Sequence, residues 1–398
     1  MATGRLLILG AGVYQIPLIE AAQQLGYEAI VVSVAGPYPG IRRADRFLPI
    51  DTSDADAVLA VAEECGIDGV VTSGSDAGVR ALGRVAERLN LPGPSSDVAR
   101  TCSDKVLMKR SLRRADIPTA DFDVANSLEQ AARAADGLGY PVVVKPVDSS
   151  GSRGVSCVKE PAGLTQAWRW ARANSRFRTV LVERYLDGRE FGAQVFVLGG
   201  EVAASFVHDD RVTQSACSTP FGHSLPSTLS PDVQRPAIEM IHETVTAFGI
   251  RDCACNFDFV LVDGAPVILE VGARAGGTGL PECVSIHAGF DFYERLVRLA
   301  VGDRTPFTPT GGCAVAAQLL RSSRTGVLRS IDVPEAVRRD PNLRELKLDL
   351  APGDPVREFQ VGPDRLGHVV AVGTSTADAV KRAAALALSI SIQVANEN

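Results

Sequence analysis

The stretch Asn256-Phe257-Asp258-Phe259-Val260, followed by Pro266-Val267-Ile268-Leu269-Glu270-Val271-Gly272-Ala273-Arg274, decides how this chain is read. Each run alternates apolar residues around an acid, as a half-buried strand does. Between the runs, Val262-Asp263-Gly264-Ala265 carries Gly at the second turn residue, which predicts a two-residue hairpin. Asp258 and Glu270, twelve positions apart, then come close on neighbouring antiparallel strands. Two buried carboxylates side by side repel unless a cation lies between them. Mg²⁺, a hard ion held by one or two carboxylates with substrate phosphates, suits that arrangement. Arg274, Gly276 and Gly277 follow and read as an anion clamp.

Toward the N-terminus, Tyr140-Pro141-Val142-Val143-Val144-Lys145-Pro146 is an apolar strand ending in a lysine, and Ser149 to Gly154 is a glycine/serine loop. Small residues let backbone N–H groups approach phosphate oxygens, and a lysine beside them neutralises charge. A flexible surface loop with a chance lysine explains the same residues equally well. The loop is not a Walker A sequence, because G-x-x-x-x-G-K-[ST] is absent. Glu183 ends a further strand from Thr179, and Glu190 follows seven residues later across a turn. Glu183 can face an adenine edge and Glu190 can accept both ribose hydroxyls. A pair of exposed acids is the plainer account of each taken alone.

Residues 5–9 form a short apolar strand, Gly10-Ala11-Gly12 opens a helix through Leu25, and Tyr27 to Val34 is a second strand. A helix from Val58 to Cys65 and a strand Gly69-Val70-Val71 complete a βαβαβ unit, which implies a parallel sheet. Leu91-Pro92-Gly93-Pro94 closes it. Gly10-x-Gly12 hints at a phosphate turn, but Gln15 replaces the third glycine and no acid ends the second strand. A Rossmann-like scaffold without dinucleotide is the better reading. Ser103-Asp104 can cap a basic helix, Lys105 to Ala115, and Leu128 to Asp136 is another helix. Phe191 to Val197 and Val202 to Val207 alternate as hairpin strands. Residues 210–230, rich in Ser, Thr and Pro, read as a loop that closes over something. Residues 232–248 form a long helix, and Phe292 to Leu299 another.

The 398 residues suffice for two or three domains with a large core. A net charge of −6 argues against general nucleic-acid or anionic-membrane binding. No long apolar leader and no run of roughly 20 apolar residues is seen, so neither a signal peptide nor a membrane span is expected. The eight cysteines are scattered, with Cys253-x-Cys255 the only close pair. They read as small buried hydrophobes in a reducing cytoplasm.

Lys105, then VVVKP with its glycine/serine loop, then VERYLDGRE, then NFDFVLVDGAPVILEVGARAGG, resembles the ATP-grasp superfamily over roughly residues 100–300. The preceding unit is similar to a pre-ATP-grasp domain, and the tail from Gly312 to the C-terminal domain of amino-acid-ligase-type members. The resemblance implies an α/β fold, α+β in its central part. It implies a Rossmann-like domain over 1–100, an ATP-grasp domain over 101–304 with a mobile lid at about 111–186, and a small C-terminal α/β domain over 305–398. It implies that Lys105 and Lys145 contact ATP phosphates beneath the loop of Ser150, Gly151, Ser152 and Gly154. Glu183, with the Leu186 backbone, falls to adenine and Glu190 to ribose. Asp258 and Glu270 fall to Mg²⁺, Arg274 to the acyl phosphate, and His223 to a substrate-side loop. The family shows E-x-N-x-R where this chain has Glu270-Val271-Gly272-Ala273-Arg274. Asn256, two residues before Asp258 on the same strand face, or a water, is expected to supply the missing oxygen.

The activity implied is an ATP-dependent carboxylate–amine ligase working through an acyl phosphate on small molecules, expected to be amino acids, in a cytoplasmic homodimer. Alternatives are a carboxylase-type or purine-pathway enzyme of the same superfamily, a nicotinamide oxidoreductase built on Gly10-x-Gly12, or a non-catalytic nucleotide-binding module. Specificity is expected in residues 205–230 and near Pro281-Glu282-Cys283.

Overall fold

The computed structural model describes residues 4–149, 151–213, 219–306 and 308–395. The chain opens with a parallel sheet of β1 (Gly4–Leu9), β2 (Tyr27–Ser33), β3 (Arg46–Pro49) and β4 (Gly69–Val71), in the order β3-β2-β1-β4. The central strands are apolar on both faces because helices cover both. The strand Arg46–Pro49 was not expected: four half-exposed residues carry too little apolar signal. At the first turn, Gly10 has φ +104°, a conformation that favours glycine. Gln15, only 3% exposed, fills this turn. Its Oε1 accepts from the Gly12 N–H at 2.9 Å and its amide donates to the Ser73 carbonyl. The turn is closed by its own side chain, in keeping with a scaffold role.

A second sheet holds β5 (Phe122–Ala125), β6 (Val142–Pro146), β7 (Ser156–Val158) and β8 (Val180–Arg184), in the order β5-β8-β6-β7. Helices Leu128–Leu138 and Leu164–Ala173 pack on it. The helix Lys105–Arg114 precedes it, and the Asp104 side chain accepts from the Val106 and Leu107 N–H groups as its N-cap.

The largest sheet runs β13-β12-β9-β10-β11-β14-β18-β16. Its strands β9 (Arg189–Leu198), β10 (Glu201–Val212), β11 (Pro220–Leu225), β12 (Cys253–Val262) and β13 (Ala265–Gly272) come from the middle of the chain. From the C-terminal part come β14 (Ala314–Leu320), β16 (Leu343–Leu348) and β18 (Gly367–Gly373). Strands β15 (Gly326–Asp332), β17 (Pro355–Val356) and β19 (Ser391–Ala395) make a small separate sheet. Because β14 pairs with β11, the sheet runs across the boundary expected near residue 305. The stretch 210–230 is not all loop: Pro220–Leu225 is an inner strand between β10 and β14. Its Gly, His and Ser residues disguised it, and they are buried with partners. Among the described residues no helix is long and apolar enough to cross a membrane, and the cysteines form no disulfide.

Candidate functional site

The hairpin is present as expected. Asp263 (φ +49°) and Gly264 (φ +83°) both take left-handed conformations in a two-residue turn, so Val262 pairs with Ala265 and Phe259 with Ile268. Continued regularly, that register would set Leu269 opposite Asp258. A bulge at this point absorbs Leu269 and brings Glu270 directly across from Asp258. Burial, then Glu270 and Asp210, pushes the Asp258 carboxyl up to about 7. Two facing carboxylates, one of them with its ionised form disfavoured by burial and by its acidic neighbours, fit a hard divalent cation such as Mg²⁺.

Asn256 does not supply an oxygen to that pair. Its amide donates to Asp258 Oδ1 at 2.9 Å, and its oxygen accepts from Gln194 Nε2. Gln194 Oε1 in turn accepts from the Gly276 N–H at 2.8 Å. Here Asn256 orients Asp258, and its oxygen, the expected ligand atom, is engaged by Gln194. Gly272 pairs with Asn256, and a Cβ there would lie 3.4 Å from the Arg274 guanidinium carbon.

Arg274 forms a fork on Asp76, with Nε at 2.6 Å from Oδ1 and Nη2 at 3.1 Å from Oδ2. Burial works against its charge, but Asp76, Asp258 and Glu270 together hold it above its ordinary value. Asp76 belongs to the loop after β4, which is pinned to the end of the hairpin through the Gly74 N–H and the Ala275 carbonyl at 3.1 Å. The N-terminal sheet thus fixes the arginine. Asp76 was missed because nothing near it in sequence marks it.

Lys105 reaches the carboxylates: Nζ lies 2.9 Å from Glu270 Oε1 and donates to the Ser149 carbonyl at 2.8 Å. It ties the glycine/serine loop to the hairpin. Lys145 instead meets Glu183, at 2.8 Å. Lys109, fully buried and overlooked in the sequence, binds the other oxygen of Glu183 at 3.0 Å. Glu183 is 3% exposed between two lysines, so it holds them and does not present a free edge. Burial, opposed by Glu183, pulls the Lys109 ammonium down to about 8.

In the loop, Gly151, Ser152 and Gly154 have φ of +64°, +62° and +80°. Ser150 lies outside the described residues. Leu186 follows β8 in a half-buried turn, and Glu190 on β9 pairs with Val260 of β12. His223 is no loop residue: it is buried on β11, with Nδ1 on Asp210 and Nε2 at 2.7 Å from Thr278 Oγ1. Burial pulls its imidazole below the ordinary value, although Asp210 opposes this. Asp210 also takes His208 Nδ1 at 2.9 Å. A second cluster missed in the sequence joins Glu282, Glu345 and His368, with Tyr293 donating to Glu282 at 2.9 Å. Arg365 lies beside it, over the Tyr14 ring.

Comparison with known proteins gives three family matches. The carbamoyl-phosphate synthase L chain, ATP binding domain, matches residues 104–306. The ATP-grasp N-terminal domain matches residues 19–93. The L-amino acid ligase C-terminal domain 2 matches residues 318–395. A formate-dependent phosphoribosylglycinamide formyltransferase of Prochlorococcus marinus is 33% identical over 309 residues, 73% of this chain and 75% of that protein. The crystal structure of phosphoribosylglycinamide synthetase from Anaerococcus prevotii aligns with a TM-score of 0.80 at 26% identity, covering 98% of this chain and 100% of that one. L-amino acid ligase from Bacillus licheniformis aligns over 100% of both chains with a TM-score of 0.86 at 21% identity, a likeness of fold.

Proposed function

The chain belongs to the ATP-grasp superfamily, and from that premise we propose that it is an ADP-forming carboxylate–amine ligase acting on amino acids through an acyl phosphate. The observation that carries the reading is Asp258 facing Glu270, with Lys105 joining Glu270 to the base of the glycine/serine loop. Asp258 and Glu270 would hold Mg²⁺, which when bound draws charge from the ATP phosphates. The match of residues 318–395 to an L-amino acid ligase domain supports amino-acid substrates.

In this mechanism a substrate carboxylate oxygen attacks the γ-phosphorus in line, and the bond to the bridging oxygen breaks to release ADP. An amine then attacks the acyl carbon, loses a proton and expels phosphate. Such chemistry asks for positioning and charge neutralisation. Lys105 and Lys145 face the phosphates, and Glu183 with Lys109 fixes Lys145 from behind. Glu190 takes the ribose and the Leu186 backbone the adenine. The loop with Gly151, Ser152 and Gly154 closes over the phosphates and excludes water. Arg274, pre-oriented by Asp76, steadies the acyl phosphate. His223 and Thr278 border the acceptor side. A cytoplasmic homodimer completes the proposal, with the dimer checked by sedimentation.

The test is ADP release with ATP, Mg²⁺ and amino acids, singly and in pairs, with the product weighed by mass spectrometry. A second reading, activation of formate, is favoured by the 33% identity to the Prochlorococcus marinus enzyme. Turnover with formate and phosphoribosylglycinamide, and none with amino acids, would replace the first reading by the second.

A further inference from the structure

Strands β16 and β18 pair so that Lys347 stands opposite His368 and Glu345 opposite Val370. Directly paired residues share a face, as do residues two apart on one strand, so Glu345 and His368 project from the same side of the sheet. Ala317 of β14 pairs with Val370 and lies on that side too. The helix Leu280–Ala288 packs against β14 there. Gly279, just before the helix, permits the close approach: a Cβ on it would fall 2.9 Å from that of Ala317 and 3.8 Å from His368 Cδ2. Glu282, in the first turn of the helix, is thereby brought to the two strand residues. One oxygen of each glutamate and one ring nitrogen of His368 all lie within 4.8 Å of one another.

His368 is 1% exposed, and neither of its ring nitrogens has a hydrogen-bond partner among the described residues. Its Nε2 stands 3.3 Å from Glu345 Oε1 without the geometry of a hydrogen bond. Glu282 Oε1 accepts from the Tyr293 hydroxyl at 2.9 Å, while the buried Oε2 has no partner among the described residues. The basic side chains nearby are engaged elsewhere. Arg365 Nε lies 2.7 Å from Asp349 Oδ2, with its guanidinium over the Tyr14 ring, and Lys347 Nζ donates to the Val13 carbonyl at 3.5 Å. Buried polar atoms left unpaired are costly, and three of them converging on one point call for an occupant. A cation between two carboxylates and an imidazole satisfies all three. The hydrogen bond from Tyr293 then fixes one ligating carboxylate, as outer partners of metal ligands do.

We propose that Glu282, Glu345 and His368 bind a divalent metal ion, Zn²⁺ by preference, in a site separate from the Asp258–Glu270 pair. Glu345 stands on β16, the edge strand at the opposite end of the sheet from β13. Zn²⁺ accepts both imidazole nitrogen and carboxylate oxygen, and such mixed sites hold it more tightly than Mn²⁺ or Fe²⁺. Three protein ligands leave a fourth tetrahedral position for water. The ion ties the helix after the Arg274 loop to strands β16 and β18 of the C-terminal part, so its binding stabilises the folded chain.

Calorimetric titration of the full chain with Zn²⁺ tests it, carried out on Asp258→Asn so that the other carboxylate pair does not compete. Stoichiometric binding is expected, with a melting temperature that climbs as the Zn²⁺ concentration is raised. Adding Glu345→Gln or His368→Asn should abolish both the binding and the thermal shift. Tyr293→Phe should weaken the affinity by roughly 10- to 100-fold. Should a variant fail to fold, anomalous diffraction from zinc-loaded wild-type crystals decides the matter, with a peak expected between the three side chains. No stoichiometric Zn²⁺, an affinity indifferent to Glu345→Gln and His368→Asn, or anomalous peaks only at other places would overturn the proposal and leave the cluster as an ion pair of the imidazolium with the two glutamates.

Discussion

Glu183→Gln probes the buried charge pair beneath the phosphate site. Glu183 lies 2.8 Å from Lys145 Nζ and 3.0 Å from Lys109 Nζ. At an effective dielectric of about 20 each contact is worth about 6 kcal/mol of attraction, set against several kcal/mol of desolvation per ion. The intact triad is therefore near balance, but the substitution leaves two buried cations without the anion they share. The cost is roughly 3–5 kcal/mol at neutral pH. The variant can relieve it by releasing the Lys109 proton, whose folded value burial already lowers to about 8. Keeping one lysine neutral at pH 7, against an unfolded value of about 10.4, costs about 4.6 kcal/mol, and at pH 9 about 1.9 kcal/mol. The folded value is depressed, so this stability is present above the unfolded value and is lost as pH falls through the folded one. The deficit of the variant must then shrink between pH 7 and pH 9. The chain's two tryptophans, Trp168 and Trp170, stand on the helix Leu164–Ala173 that packs on the sheet holding Lys145 and Glu183. Their fluorescence during urea unfolding reads this part of the molecule. A deficit below about 1 kcal/mol at pH 7, or one that grows toward pH 9, would refute the reasoning.

Asp76→Asn removes the charged half of the fork on Arg274 and should destabilise by about 1.5–3 kcal/mol while lowering the rate of ADP release, read by calorimetry and coupled assay. An unchanged melting temperature and rate would show that the fork is idle. Gly154→Ala forces a side chain onto φ +80° with its Cβ 2.8 Å from that of Asn174, so the loop should shift and turnover fall. A wild-type KM for ATP in that variant would argue against loop closure over the phosphates. With its carboxyl at about 7, Asp258 offers a full charge to a cation only on the alkaline side. Nucleotide-free Mn²⁺ affinity should therefore fall about tenfold from pH 8 to pH 6, and a flat titration would contradict this.

The parts legible in the sequence are those whose signal is local. Asp263-Gly264 announces its turn, the acids announce the strands' polar face, and Lys145 stands at the end of its own apolar run. The parts that escaped depend on register and on distance along the chain. Lys109 sits on a basic helix where nothing distinguishes it from Lys105, and only the fold brings it to Glu183. Asp76 is separated from Arg274 by most of two sheets in sequence, yet the pairing of Ser73 with Ala275 makes them neighbours. The opposition of Asp258 and Glu270 itself required the bulge that absorbs Leu269, which no periodicity reveals. His223 was misread for a related reason. Polar residues at 220–225 look like loop until Asp210 and Thr278 are seen to satisfy the histidine, which makes a buried polar strand tolerable. The chemistry-bearing residues of this chain therefore lie where local pattern fails, because a site that gathers charge must draw it from elements with no reason to be adjacent until the sheets form. Gly192 shows the point most directly: in sequence it merely weakens a strand, whereas in the sheet its missing side chain admits His208 beside Asp258.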